Sequence, residues 1–116
     1  FNNFTLYNTA IVEGPTAITN NQKVRIVTTR TAGKLVSLYL NGTLEVSQTD
    51  TPDNFVFSAA SQKINFFVDD TTTAQLEAGA GTVTGIRIYD TALTGPEAAV
   101  EGAVGFGRTL MVGAGG

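Results

Sequence analysis

Two adjacent carboxylates, Asp69 and Asp70, stand where an alternating apolar run, Lys63 to Val68, gives way to Thr71-Thr72-Thr73. Calcium is a hard cation that takes carboxylate oxygens together with loop carbonyls, so this pair is the candidate calcium site, with Glu77 as a further ligand. The same aspartates serve equally as caps of the turn that follows, by accepting hydrogen bonds from nearby backbone N–H groups. Asp50 and Asp53, on either side of Pro52, form a lesser cation candidate in an earlier loop. Tyr39 and Tyr89 fall at outward positions of two alternating segments, where their rings can form a platform for a ligand such as a sugar, with Asn41 offering an amide beside the first. Rings of this kind also pack simply as amphipathic cover on a sheet, and Asn41 also reads as a turn residue.

Catalytic constellations are harder to build. The chain has no His and no Cys. That removes the commonest general base, the usual zinc ligands and the Ser-His and Cys-His nucleophile systems. Glycoside hydrolysis needs two carboxylates flanking the scissile bond. No strand candidate carries acids at alternate positions, and adjacent residues such as Asp69 and Asp70 diverge on an extended backbone. The residues point away from an enzyme.

The bulk composition agrees with a recognition or structural role. Of 116 residues 42% are hydrophobic, enough for one core, but only 15% are charged, so Thr, Asn, Ser and Gln must supply the polar surface. Net charge is −3, and the seven basic residues are scattered singly. Nucleic acid and anionic membranes both call for clustered Lys and Arg, so neither is an expected partner. No apolar run is long enough to span a bilayer as a helix. The chain opens Phe1-Asn2-Asn3 with no Met or basic leader, and is expected to be a piece of a longer exported protein, bacterial because no disulfide can form.

The positioning elements follow from a period of two. Phe4–Tyr7 is a short strand, and 8–22, with Gly14, Pro15, Asn20 and Asn21, reads as loop. Lys23–Arg30 and Lys34–Leu40 alternate, with Ala32-Gly33 turning between them. Val36, Leu38 and Leu40 share one face; Leu35, Ser37 and Tyr39 share the other. Asn41-Gly42 then joins a third strand, Thr43–Gln48, with Leu44 and Val46 inward; Asn-Gly suits a tight hairpin because both residues accept positive φ. Residues 49–54 are loop, Phe55-Val56-Phe57 a very short strand, and Lys63–Val68 a further one with Ile64, Phe66 and Val68 on one face. Asp69–Gly81 is a polar connection. Thr82–Tyr89 is the last clear strand, with Ile86 and Ile88 inward. Thr94-Gly95-Pro96-Glu97 has the spacing of a capping box and predicts one or two helical turns over Glu97–Val100. From Gly102 onward the glycines predict a tail or linker, with one short strand at Arg108–Val112. The expected division is a β domain over 1–101 and a Gly-rich tail over 102–116.

Four pieces occur in a telling order: Lys23-Val-Arg-Ile-Val-Thr-Thr-Arg30, Leu35-Val-Ser-Leu-Tyr-Leu-Asn-Gly42, Ile64-Asn-Phe-Phe-Val-Asp-Asp70, and Gly85-Ile-Arg-Ile-Tyr-Asp-Thr-Ala-Leu-Thr94 with Glu97 beyond it. This succession resembles the C-terminal part of a laminin-G-like, concanavalin A-like lectin-glucanase jelly-roll domain, over about Phe4 to Glu101. The resemblance implies an all-β fold, an antiparallel β-sandwich lacking its first strands, with one short C-terminal helix. It implies calcium on a rim loop, which is where Asp69 and Asp70 fall, and sugar binding. Such domains are usually longer. The missing strands belong to a longer chain of which this is a portion, are disordered or cleaved away, or are supplied by a neighbouring subunit through β-augmentation.

The expected function is therefore a non-catalytic extracellular binding or adhesion module for a glycan or surface protein. The alternative is a structural subunit of a bacterial surface layer, sheath or filament that self-associates through sheet edges. A third reading is an accessory domain of a secreted polysaccharide-degrading enzyme.

Overall fold

The Asn41-Gly42 hairpin is the organising feature of the computed structural model, which describes residues 3–7, 11–56, 66 and 79–104. Both turn residues take positive φ, 49° and 90°. They join β4 (Leu35–Leu40) to β5 (Thr43–Thr49), and β3 (Ile26–Arg30) pairs antiparallel with the other side of β4. The sheet order is β3-β4-β5. Between β3 and β4 the chain reverses through Ala32-Gly33 and Lys34, whose φ of 66° is the left-handed step that closes a three-residue hairpin loop.

β4 is buried on both faces. Val36 and Leu38 pack with Val46 of β5 into the core cluster, and Phe55, in the turn after β5, packs against it. On the opposite face Ser37 and Tyr39 are also buried, and Ser37 shares a 3.0 Å hydroxyl contact with Ser47, its cross-strand partner. Phe55 thus serves the core from a turn, where the sequence pattern places a short strand.

Leu44 departs from the expected pattern. Had the register run straight, Leu44 would face Leu40 and join the Leu38–Val46 side. Instead Leu38 pairs with Val46 while Tyr39 pairs with Leu44, so Glu45 is the extra residue of a β-bulge. A bulge flips every side chain beyond it. Leu44 lands on the opposite face and is 51% exposed.

A second sheet pairs β1 (Asn3–Tyr7) with β2 (Ile11–Ala17). The sequence reading placed β2 in a loop, because Gly14 and Pro15 punctuate it. Both are accommodated by an irregularity: Asn3 pairs with Ala17 and Thr5 with Glu13, so Phe4 alone is set against the stretch from Gly14 to Thr16. Proline has no N–H to give a ladder, and a widened register at a sheet edge is where it costs least.

One helix, α1 (Gly95–Ala103), follows its N-cap Thr94. The Thr94 N–H and hydroxyl both donate to the Glu97 carboxylate, at 2.8 and 2.7 Å. These two bonds hold the Glu97 carboxyl below its ordinary pKa. The helix outruns the expected Glu97–Val100 and takes in Gly102 and Ala103. Gly102 packs on the hairpin turn so closely that a Cβ there would meet the Gly42 nitrogen at 2.6 Å; a Cβ on Gly42 would meet the Ala99 carbonyl oxygen at 2.6 Å. Two glycines back to back let the helix sit on the turn. No basic residue stands in the last helical turn, and Arg25, just ahead of β3, donates to the Ala103 carbonyl at 3.1 Å in its place.

The chain divides into two units, Phe1–Phe55 with Tyr89–Gly116, and Val56–Ile88. In the second, residues 82–88 form no strand although their alternation predicts one, and Ile86 and Ile88 are exposed rather than inward. Alternation supplies a face; a strand also needs a hydrogen-bonded neighbour, and none pairs with this stretch among the described residues. The expected strands over 63–68 and 108–112 lie outside the described residues. The architecture described is β-rich: two small antiparallel sheets and one short helix.

Candidate functional site

The densest arrangement of charge lies where the β3–β4 turn meets the loop after β5. Asp50 closes β5 and is fully buried. Its carboxylate accepts from Arg30 Nε at 2.9 Å, from the Asn54 N–H at 2.8 Å and from the Phe55 N–H at 3.1 Å. Burial alone would push the Asp50 pKa up. The bonds from Phe55, Arg30 and Asn54 outweigh it and leave the carboxyl below its ordinary value. The Asp50 N–H donates to the Lys34 carbonyl at 2.8 Å, and its own carbonyl accepts from the Asp53 N–H at 3.3 Å. Asp50 thereby ties three pieces of chain together and holds Phe55 over the core.

Asp53 completes the cluster. Arg30 Nη2 donates to one of its oxygens, and Lys34 Nζ to the other at 2.8 Å. Every carboxylate oxygen of Asp50 and Asp53 is engaged by a cation or an N–H group. Calcium would have to displace Arg30 and Lys34, so this cluster is a structural clasp and the cation role considered for Asp50 and Asp53 is corrected. Among the described residues no group of three or more acids, His or Cys is placed to hold a metal. Asp69, Asp70 and Glu77 lie outside the described residues.

The proposed platform residues differ in exposure. Tyr39, expected outward, is only 9% exposed, and its hydroxyl lies near the start of α1, 3.3 Å from where a Cβ on Gly95 would stand. The ring is covered because the capped helix docks here, which strand alternation cannot report. Asn41 is exposed, but its amide oxygen accepts the Arg25 N–H at 2.9 Å and its own N–H donates to the Arg25 carbonyl at 2.9 Å. It acts as a turn residue bound to the strand beside it. Tyr89 is the member of the set with an accessible ring, 46% exposed.

A further carboxylate, missed by pattern reading, links the two sheets. Glu45, the bulge residue of β5, accepts from Thr16 of β2 through both the backbone N–H and the hydroxyl. A charged residue in an otherwise Thr/Ser-rich strand was the available signal.

No protein-family model matches the chain, and no curated protein matches it in sequence. Among solved structures it is similar to a segment of an S-layer domain-containing protein from Clostridium thermocellum, with a TM-score of 0.59 and 18% identity over 80% of this chain and 45% of that one. The chain thus spans less than half of that neighbour, and at this identity the likeness is one of fold.

Proposed function

We propose that this chain is a structural module of a bacterial surface layer or a comparable extracellular assembly. The observation that carries the reading is the fold shared with part of an S-layer domain-containing protein. The chemistry of the described residues supports it. Glu45, Asp50, Asp53 and Glu97 all spend their carboxylates on the chain's own backbone and cations. Such groups stiffen a scaffold. The surface left over is rich in Thr, Ser and exposed apolar side chains, which suits packing of protein against protein more than recognition of a charged ligand. In this reading the two antiparallel sheets belong to a concanavalin A-like sandwich, a proposal supported by the order of the sequence pieces from Lys23 to Thr94.

Light scattering of the full chain over a concentration series, alongside a glycan array with and without calcium, tests the reading. Growth in mass with concentration and no glycan signal is expected. A persistent monomer that binds a glycan would replace it with the adhesion-module reading. That second reading keeps one specific support, the accessible ring of Tyr89, with calcium at Asp69 and Asp70 as its accompanying proposal.

A further inference from the structure

Of the asparagines in the chain, Asn41 alone is followed by glycine. That pairing carries a chemistry of its own. The main-chain nitrogen of the residue after an asparagine can attack the side-chain carbonyl carbon, and glycine, with no Cβ, leaves the approach open. Asn41 is exposed at the hairpin tip, so water and hydroxide reach its side chain. Two contacts restrain the reaction in the folded chain. The Asn41 amide oxygen accepts the Arg25 N–H at 2.9 Å, which ties the electrophilic carbon to the segment leading into β3. The nucleophilic nitrogen lies against α1. Gly102 is buried there, and a Cβ on it would stand 2.6 Å from the Gly42 nitrogen; a Cβ on Gly42 would in turn meet the Ala99 carbonyl oxygen at 2.6 Å and the Ala103 nitrogen at 3.2 Å.

We propose that Asn41 is a deamidation site whose rate is set by the docking of α1 on the hairpin. When α1 lifts, hydroxide takes the Gly42 N–H proton and the nitrogen attacks Asn41 Cγ. An N–Cγ bond forms, the Cγ–Nδ2 bond breaks, and Nδ2 leaves as ammonia. The cyclic imide then takes up one water at either of its carbonyls, giving aspartate or isoaspartate. One water enters and one ammonia leaves, with no oxidant or reductant. The observed rate is the intrinsic rate scaled by the fraction of chains in which α1 is open.

The two products differ in consequence. Aspartate adds one negative charge and keeps an acceptor for the Arg25 N–H. Isoaspartate puts an extra carbon into the main chain of a tight turn, since Leu40 pairs with Thr43 across Asn41-Gly42. The geometry of a two-residue hairpin loop does not admit it, and the isoaspartate form no longer offers α1 its seat.

The test holds full chains in mildly alkaline buffer, takes samples over time, and reads tryptic peptides by mass spectrometry. Asn41 and Asn54 fall in one peptide, between Lys34 and Lys63, and Asn54, followed by Phe55, is the internal reference. The native chain is compared with itself in denaturant, with Gly102→Ala and with Arg25→Ala. Arg25→Ala removes the side-chain bond to the Ala103 carbonyl and leaves the backbone N–H that Asn41 uses. It decides the matter alone if Gly102→Ala does not fold. Conversion at Asn41 is expected to be slow in the native chain, faster in Arg25→Ala, and about tenfold faster in Gly102→Ala, as overpacking raises the undocked population. Denaturant should give the fastest conversion, with Asn54 behind Asn41 in every sample. Equal rates in the native and denatured chain would overturn the role of α1, and so would folded variants that convert at the native rate. No conversion at Asn41 in denaturant would remove the site itself.

Discussion

Thr16 gives both of its donors to one carboxylate: its N–H lies 3.0 Å and its hydroxyl 2.7 Å from the two oxygens of Glu45. The contact joins two irregularities. Thr16 belongs to the stretch of β2 where the ladder to β1 widens around Pro15, so its N–H is available; Glu45 is the residue that the bulge adds to β5. Neither irregularity alone places a side chain between the sheets, and together they clip one sheet to the other. Glu45→Ala is expected to cost about 1 kcal/mol, as for an accessible hydrogen-bonded pair. Hydrogen exchange should show the loss over 11–17 while 36–40 keep their protection.

Asp50 makes stability depend on pH. Its folded-state pKa is lowered, so its contribution to stability is complete above the ordinary Asp range and disappears as pH falls through the lower, folded-state value. Glu97 is shifted in the same direction and adds to the same acid limb. Denaturant midpoints measured from neutral to acid pH should fall below the ordinary carboxylate range. Asp50→Asn should lower the neutral midpoint and flatten the acid decline, because Arg30 then faces no charge at that position.

The glycine contact between turn and helix gives a steric prediction. Gly102→Ala puts a methyl group 2.6 Å from the Gly42 nitrogen and 2.9 Å from its Cα, and backbone cannot step aside cheaply. The expected loss is about 1–3 kcal/mol, the usual cost of overpacking, with α1 undocked from the hairpin. Gly33→Ala is the control: its nearest neighbour would be the Thr31 hydroxyl at 3.7 Å, an ordinary contact, and unfolding curves should barely move.

Gln48 offers the opposite sign. It sits across from Val36 on the core face, and its side-chain oxygen is buried with no hydrogen-bond partner among the described residues. An unmet buried acceptor costs about 1–3 kcal/mol. Gln48→Met keeps the shape and removes the acceptor, so thermal unfolding should shift upward.

Local chemistry was legible in the sequence; relations between distant residues were not. Asn41-Gly42 announces its hairpin because positive φ is a property of those two residues, and Thr94 with Glu97 announces the helix start because the box closes within one turn. β2 was hidden because Gly14 and Pro15 mean loop in isolation, and only pairing with β1 turns them into an irregular edge. Alternation alone puts Leu44 inward, because one added residue cannot be seen in an alternating pattern. The Asp50 clasp reads in sequence as a loop with cation candidates, since Arg30 and Lys34 lie on another hairpin. Residues 82–88 run the other way: their pattern is that of a strand, and among the described residues they form none.

The central claim, still a proposal, is that this chain is a structural unit of an extracellular assembly. Sedimentation velocity over a concentration series, for the native chain beside Ile26→Lys, tests it most directly. Ile26 is exposed, so a lysine there charges an apolar surface position without disturbing the core. The account predicts that the native chain grows in mass with concentration, and that the variant stays monomeric with an unchanged melting temperature. Two chains that both remain monomers at every concentration would contradict it.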